Sequence, residues 1–246
     1  MKQRVIWGAI ALLIMLPFLL HGGLSFQVFV GFLAMVGVAE MLRMKHLEFF
    51  SIEGVLSMLG AFVLTVPLDN YFTSLPIDSN FAVYGLLVFL LLAGTVINCD
   101  DYSFDDVSYP IAASLYVGIG FQNLVNARMG GLDKVLFALF IVWATDIGAY
   151  MIGRRFGQRK LMPKVSPNKT IEGSLGGIAC AVVVSFIFML IDKAVYAPHN
   201  LFVMLICVIL FSIFGQFGDL VESAIKRHFG VKDSGKLIPG HGGILD

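Results

Sequence analysis

Residues 201–246 read LFVMLICVILFSIFGQFGDLVESAIKRHFGVKDSGKLIPGHGGILD. As far as Phe217 this stretch is almost wholly apolar, as a helix entering a bilayer must be. Asp219, Glu222 and Lys226 then follow at i, i+3 and i+7, which places them on one helix face. Beyond Phe229 the chain turns to Gly, Pro, Lys and Asp, which do not continue a helix. Gly235, Gly240, Gly242 and Gly243 allow backbone to come close to a ligand. Lys226, Arg227, Lys232 and Lys236 supply cationic charge, and Asp219, Asp233 and Asp246 supply hard oxygen ligands. Cations, carboxylates and glycines in this order suit a phosphate held together with a divalent metal.

The rest of the chain has the same apolar character. It is 58% hydrophobic and 14% charged, against about a quarter charged in soluble domains. The fold class is therefore all-α, a polytopic membrane protein. About eight transmembrane helices are expected, at 5–20, 24–42, 54–68, 81–97, 110–126, 133–152, 173–191 and from 201 onward. The first run has basic residues before it but no small-residue cleavage site, so it reads as a retained helix. A turn-rich loop with Pro76 is expected at 69–80, and an acidic, solvated one at 98–109. The net charge is zero, so no global field recruits nucleic acid. Cys99, Cys180 and Cys207 are isolated, without disulfide or metal spacing. His241 also lacks partners spaced for zinc.

Charge sets an orientation. With the N-terminus in the cytosol, the Lys and Arg residues of 2–4, 43–45, 154–169 and 226–236 all fall inside. Only Arg128, Lys134 and Lys193 fall outside, a strong inside bias. Both basic stretches then face the cytosol. One is the 201–246 exit; the other, residues 153–173, reads GRRFGQRKLMPKVSPNKTIEG and is expected to be a loop. It lacks the Gly spacing of a P-loop. Ser166 and Lys169 next to a helix N-terminus can still bind an anion. Asp146 lies about 20 Å along the sixth run from Asp133, where a carboxylate is expensive and usually functional. It either touches substrate or ion, or pairs with Arg154 or a neighbouring helix. Asp146, Ile152, Arg154, Phe156 and Gly157 match Asp219, Ile225, Arg227, Phe229 and Gly230 at one constant offset, as a parallel internal repeat or a coincidence of shared topology would. Gly173 and Gly177 form a small-xxx-small pair, which indicates helix packing.

The ordered set Ser223, Lys226-Arg227, Lys232-Asp233, Gly235, Pro239, His241-Gly242-Gly243 and Asp246 resembles the signature of the phosphatidate cytidylyltransferases. Ser166, Pro167, Lys169, Thr170, Glu172 and Gly173 resemble a second element of that family. The resemblance implies CMP transfer from CTP to phosphatidate, giving CDP-diacylglycerol and pyrophosphate. It implies one or two Mg²⁺ ions held by Asp219 and Asp246, with a monovalent cation left open. Catalytic roles fall to Asp219, Asp246, Lys226 and Asp146. Substrate binding falls to Ser166, Lys169, Glu172, Glu222, Arg227, Lys232, Asp233, Lys236, His241, Gly242 and Gly243. Alone, Asp219 would read as a helix-end carboxylate paired with Lys226 or Arg227. The expected partners are CTP, phosphatidate and membrane lipids, with a homodimer left open. The expected location is the plasma membrane, multi-pass, with the active site toward the cytosol. Residues 1–246 are expected to form a single integral-membrane domain, about 1–130 supplying N-terminal helices and about 131–246 the catalytic ones. The family pattern continues past Asp246 with an Arg, an Asp and a ninth helix, so the chain reads as lacking those elements. Rival classes are a membrane CTP-dependent lipid kinase or polyprenyl-lipid transferase, and an ion-coupled transporter.

Overall fold

The apolar runs become helices. The computed structural model describes residues 2–71, 80–197 and 199–246, apart from the side chains of 2–5 and 69. Eight α-helices are found among the described residues, one at each expected run. The loop expected around Pro76 lies outside the described residues, as do the side chains of Lys2 and Arg4. The chain divides into two compact units, Met1–Met129 with Asp233–Asp246, and Gly130–Lys232.

The first unit holds α1 (Lys2–His21), α2 (Gly23–Met44), α3 (Ile52–Thr65), α4 (Asn80–Ile97) and α5 (Phe104–Met129). Its helices start where capping residues allow. The Ser51 hydroxyl accepts from Gly54 N at 3.2 Å and begins α3. At α5, Ser103 N donates to Asp106 Oδ2 at 2.9 Å while Asp106 N donates to Ser103 Oγ at 3.4 Å. This reciprocal capping gives one residue of the acidic loop a structural task. Small residues let the helices meet closely: a Cβ on Gly31 would come 2.8 Å from the Phe62 ring, and one on Gly118 3.0 Å from Leu64. The guanidinium of Arg128 donates to Leu19 O at 2.6 Å and Leu20 O at 3.1 Å, closing the end of α1.

The second unit holds α6 (Leu132–Phe156), a hairpin of β1 (Lys160–Met162) and β2 (Ser166–Thr170), α7 (Ile171–Ile191) and α8 (Leu201–His228). Glycines set the α6–α7 contact. A Cβ on Gly173 would lie 2.7 Å from Ala149 O, and one on Gly177 2.6 Å from Thr145 O. The Gly173/Gly177 pair is thus a packing device, as its spacing indicates. The Thr145 and Ser212 hydroxyls lie 2.8 Å apart and join α6 to α8 among buried neighbours. Phe137, Ile141, Met189 and Val208 form the core nearby. Asn200 caps α8, accepting from Val203 N at 2.8 Å.

Two features differ from the sequence reading. The 153–173 stretch is not all loop: β1 and β2 pair antiparallel, with Lys160 opposite Thr170 and Met162 opposite Ser166. Pro167 is tolerated in β2 because a two-stranded hairpin leaves edge positions without a ladder partner. Helix lengths are also uneven. By length and composition α2, α4, α6, α7 and α8 are suited to cross a membrane. At 14 residues α3 is about 21 Å long, short of a hydrocarbon core of about 30 Å. At 28 residues α8 is about 42 Å long, so its polar last turns extend beyond such a core.

Candidate active site

A pocket of about 490 Å³ opens in the second unit. Helix α6 contributes Asp146, Tyr150 and Arg154, whose i, i+4, i+8 spacing puts them on one face. Arg154 Nη1 donates to the Tyr150 hydroxyl at 3.3 Å, linking the two side chains along that face. Strand β2 contributes Asn168, Lys169 and Thr170; α7 adds Gly173 and Ser174; α8 adds Gln216 and Asp219. The two carboxylates of the apparent repeat therefore line one cavity.

Lys169 Nζ contacts Asp219 Oδ2 directly. Asp219 therefore pairs with a lysine from the hairpin, and not with Lys226 or Arg227 of its own helix. The side chains are 30% and 50% exposed, and an ion pair so open to solvent contributes only about 0–1 kcal/mol. The pair is thus cheap to break, and the ammonium marks a place beside Asp219 that accepts a cation. Among the described residues no group of three or more His, Cys, Asp or Glu forms a metal cage. The donor set fits Mg²⁺ nonetheless, since that ion is commonly held by one or two carboxylates with water and substrate phosphates completing its shell.

The hairpin that carries Lys169 is held by Glu172. Its Oε2 accepts from Gln158 N and Arg159 N, each at 3.1 Å, and its Oε1 accepts from Arg159 Nε at 3.0 Å. Thr170, 7% exposed, caps α7 by accepting from Gly173 N at 3.1 Å. Glu172 and Thr170 thus fix the end of β2 next to Lys169, which reaches into the pocket from a short, tethered strand. Ser166 starts that strand, opposite Met162.

Other residues singled out in the sequence are engaged elsewhere. Lys226 pairs with Glu222 at 2.9 Å along α8. Arg227 donates to Val165 O at 3.4 Å and Val231 O at 3.3 Å, fastening the exit of α8 to the hairpin turn. Lys232 follows the helix and is exposed. Asp233, Lys236, His241, Gly242, Gly243 and Asp246 belong to the first unit. There Asp246 Oδ2 accepts from Ser234 N at 2.7 Å, Ser234 Oγ at 2.8 Å and Gly243 N at 2.8 Å. The His241 ring packs on α1, where a Cβ on Gly8 would lie 3.1 Å from it. Lys236 and Asp233 are exposed.

A second cleft, of about 340 Å³, adjoins the polar pocket and shares Leu161, Ser174 and Gln216 with it. Its other walls are apolar: Met162 and Val165 from the hairpin, and Ile213, Phe217, Leu220, Val221 and Ala224 from α8. A charged site and an apolar cleft meeting along one helix suit a reactant with a phosphate head and hydrocarbon tails.

The model described as the cytidylyltransferase family matches residues 2–246. The chain belongs to the cytidylyltransferase family. The phosphatidate cytidylyltransferase of Staphylococcus saprophyticus is 44% identical over 250 residues, covering 100% of this chain and 93% of the relative. That of Staphylococcus epidermidis is 44% identical over 249 residues with the same coverage. That of Staphylococcus aureus is 41% identical over 248 residues, again with that coverage. Membership and the long apolar helices together make this a membrane-embedded nucleotidyltransferase family member.

One residue escaped the sequence reading. Glu40 sits inside the apolar run of α2 and is 4% exposed. A lone carboxylate in such a run is the same signal that singled out Asp146, and it was there to be read.

Proposed function

We propose that the chain transfers CMP from CTP to phosphatidate, releasing pyrophosphate and forming CDP-diacylglycerol, at the Asp146–Lys169–Asp219 pocket. The observation that carries this reading is the junction of a cavity bearing two carboxylates and a lysine with an apolar cleft, in a family whose named relatives are phosphatidate cytidylyltransferases.

A phosphate oxygen of phosphatidate attacks the α-phosphorus of CTP. The new P–O bond forms as the bond to the β-phosphate breaks, and pyrophosphate leaves with that electron pair. The attacking phosphate is already largely ionised near pH 7, so no strong general base is required. Charge is the difficulty, because both reactants are anions. Asp219 and Asp146 would hold Mg²⁺, and Asp246 is proposed to act in the reaction on the resemblance of its segment alone. The ion would supply positive charge against the negative charge of the two phosphates and of the leaving pyrophosphate. Lys169, released from Asp219, turns to a phosphate oxygen. Arg154, Asn168 and Ser174 offer further donors to the same cavity. The walls at Phe217, Leu220 and Ala224 take the lipid chains. The strong Lys/Arg bias of the loops supports a pocket facing the cytosol, where CTP is found.

The test is a double-label assay in liposomes containing phosphatidate and Mg²⁺. With CTP labelled at the α-phosphate, label enters the lipid. With CTP labelled at the γ-phosphate, it leaves in pyrophosphate. Label entering the lipid only from the γ position would make the protein a lipid kinase.

A further inference from the structure

Glu40 lies one turn before the end of α2. A carboxylate buried in an apolar helix is costly unless donors satisfy its oxygens. Among the described residues none of its partners is a Lys or Arg. Its donors all come from the segment Asp233–Asp246, some two hundred residues away in sequence. Ile244 N donates to Oε1 at 2.8 Å and to Oε2 at 2.9 Å. Leu245 N donates to Oε2 at 3.1 Å, and Ser234 Oγ to Oε2 at 2.9 Å.

Ser234 is itself 4% exposed, and its hydroxyl also lies 2.8 Å from Asp246 Oδ2. A hydroxyl has one proton, so two carboxylates share one donor here. Ser234 N and Gly243 N also donate to Asp246. The glycines of the signature follow from the same arrangement. A Cβ on Gly235 would come 2.6 Å from Glu40 Oε1, and one on Gly243 2.3 Å. Gly242 has φ +124°, which side chains rarely adopt. Two of these glycines therefore make room for a carboxylate of the protein's own α2.

We propose that Glu40 is a positioning residue: its carboxylate is the template on which residues 234–246 fold, and through Ser234 and Gly243 it fixes the orientation of Asp246. The proposal rests on the role assigned above to Asp246 in the reaction. In Glu40→Gln one carboxylate oxygen becomes an NH₂ that cannot accept from the Ile244 N–H, and the charge that strengthens the bonds from Ser234, Ile244 and Leu245 is lost.

Hydrogen exchange with mass spectrometry and steady-state kinetics, both on the full chain in lipid, test this. In Glu40→Gln the Ile244 and Leu245 amides should exchange about tenfold faster or more, while the exchange of α2 upstream stays as in the wild type. The kcat should fall about tenfold or more, with KM for CTP within about twofold. Ser234→Ala, which is milder, should move both readouts the same way by about threefold. The double variant should be no worse than Glu40→Gln alone. Unchanged amide exchange in Glu40→Gln overturns the template. Faster exchange with undiminished kcat, in a protein that Asp246→Asn inactivates, overturns the positioning role and leaves the proposed reaction standing. Full activity in Asp246→Asn removes Asp246 from the site, and the link from Glu40 to the reaction falls with it.

Discussion

Asp219 and Asp246 lie in one stretch of the sequence, but the two units hold them in opposite ways. Asp219 faces the ammonium of Lys169, a flexible side chain 30% exposed on a short strand. Asp246 accepts two backbone N–H groups and a hydroxyl from its own loop. A lysine can turn away at a cost of about 1 kcal/mol or less. Backbone donors cannot leave unless the loop refolds, and each unpaired buried group costs about 1–3 kcal/mol. Asp219 can thus give up its partner at little cost, while Asp246 is held in place.

Substitutions sharpen that contrast. The largest effect is expected for Asp219→Asn. Losing the anion leaves developing charge uncompensated, and kcat should fall on the order of 10²–10³-fold in the CTP-to-lipid assay. Because the pair with Lys169 contributes little, the thermal midpoint of the variant should stay close to wild type. A large drop in the midpoint would instead make Asp219 a structural ion-pair member. Lys169→Met comes next. If Lys169 leaves Asp219 for a phosphate, kcat/KM for CTP should fall about 10–100-fold, a loss of about 1.4–2.7 kcal/mol. If it merely neutralises Asp219, the substitution should strengthen Mg²⁺ binding and leave CTP affinity alone. Ala224→Trp should do least. It fills the apolar cleft without touching the polar pocket, so KM for phosphatidate should rise several-fold, about 1 kcal/mol, while KM for CTP holds. Equal changes in both constants would show that the cleft does not serve the lipid.

How much of this the sequence carried depends on the range of the interaction. The eight helices were legible because each apolar run is a local signal that needs no partner. Asp146 and Asp219 could each be singled out in advance, because their runs match at one offset, but only the fold shows that they line one cavity. The hairpin was not legible: its strands are 3 and 5 residues long, and a clamp by Glu172 across more than ten residues holds them. The role of Glu40 was harder still. Its acidity inside an apolar run could be seen, but its partner Ser234 lies 194 residues away. Nothing in either segment alone identifies the other. For the same reason the glycines at 235 and 243 read as a ligand's approach, when the group approaching them is a side chain of α2.

The central claim is that the Asp146–Lys169–Asp219 pocket holds a divalent ion together with CTP. The direct measurement is electron paramagnetic resonance of Mn²⁺ titrated into the full chain with and without CTP. The wild type should bind Mn²⁺ more tightly with CTP present. Asp219→Asn should weaken that CTP-dependent binding about tenfold or more. Mn²⁺ binding that is the same in wild type and Asp219→Asn, with CTP present, would contradict the account.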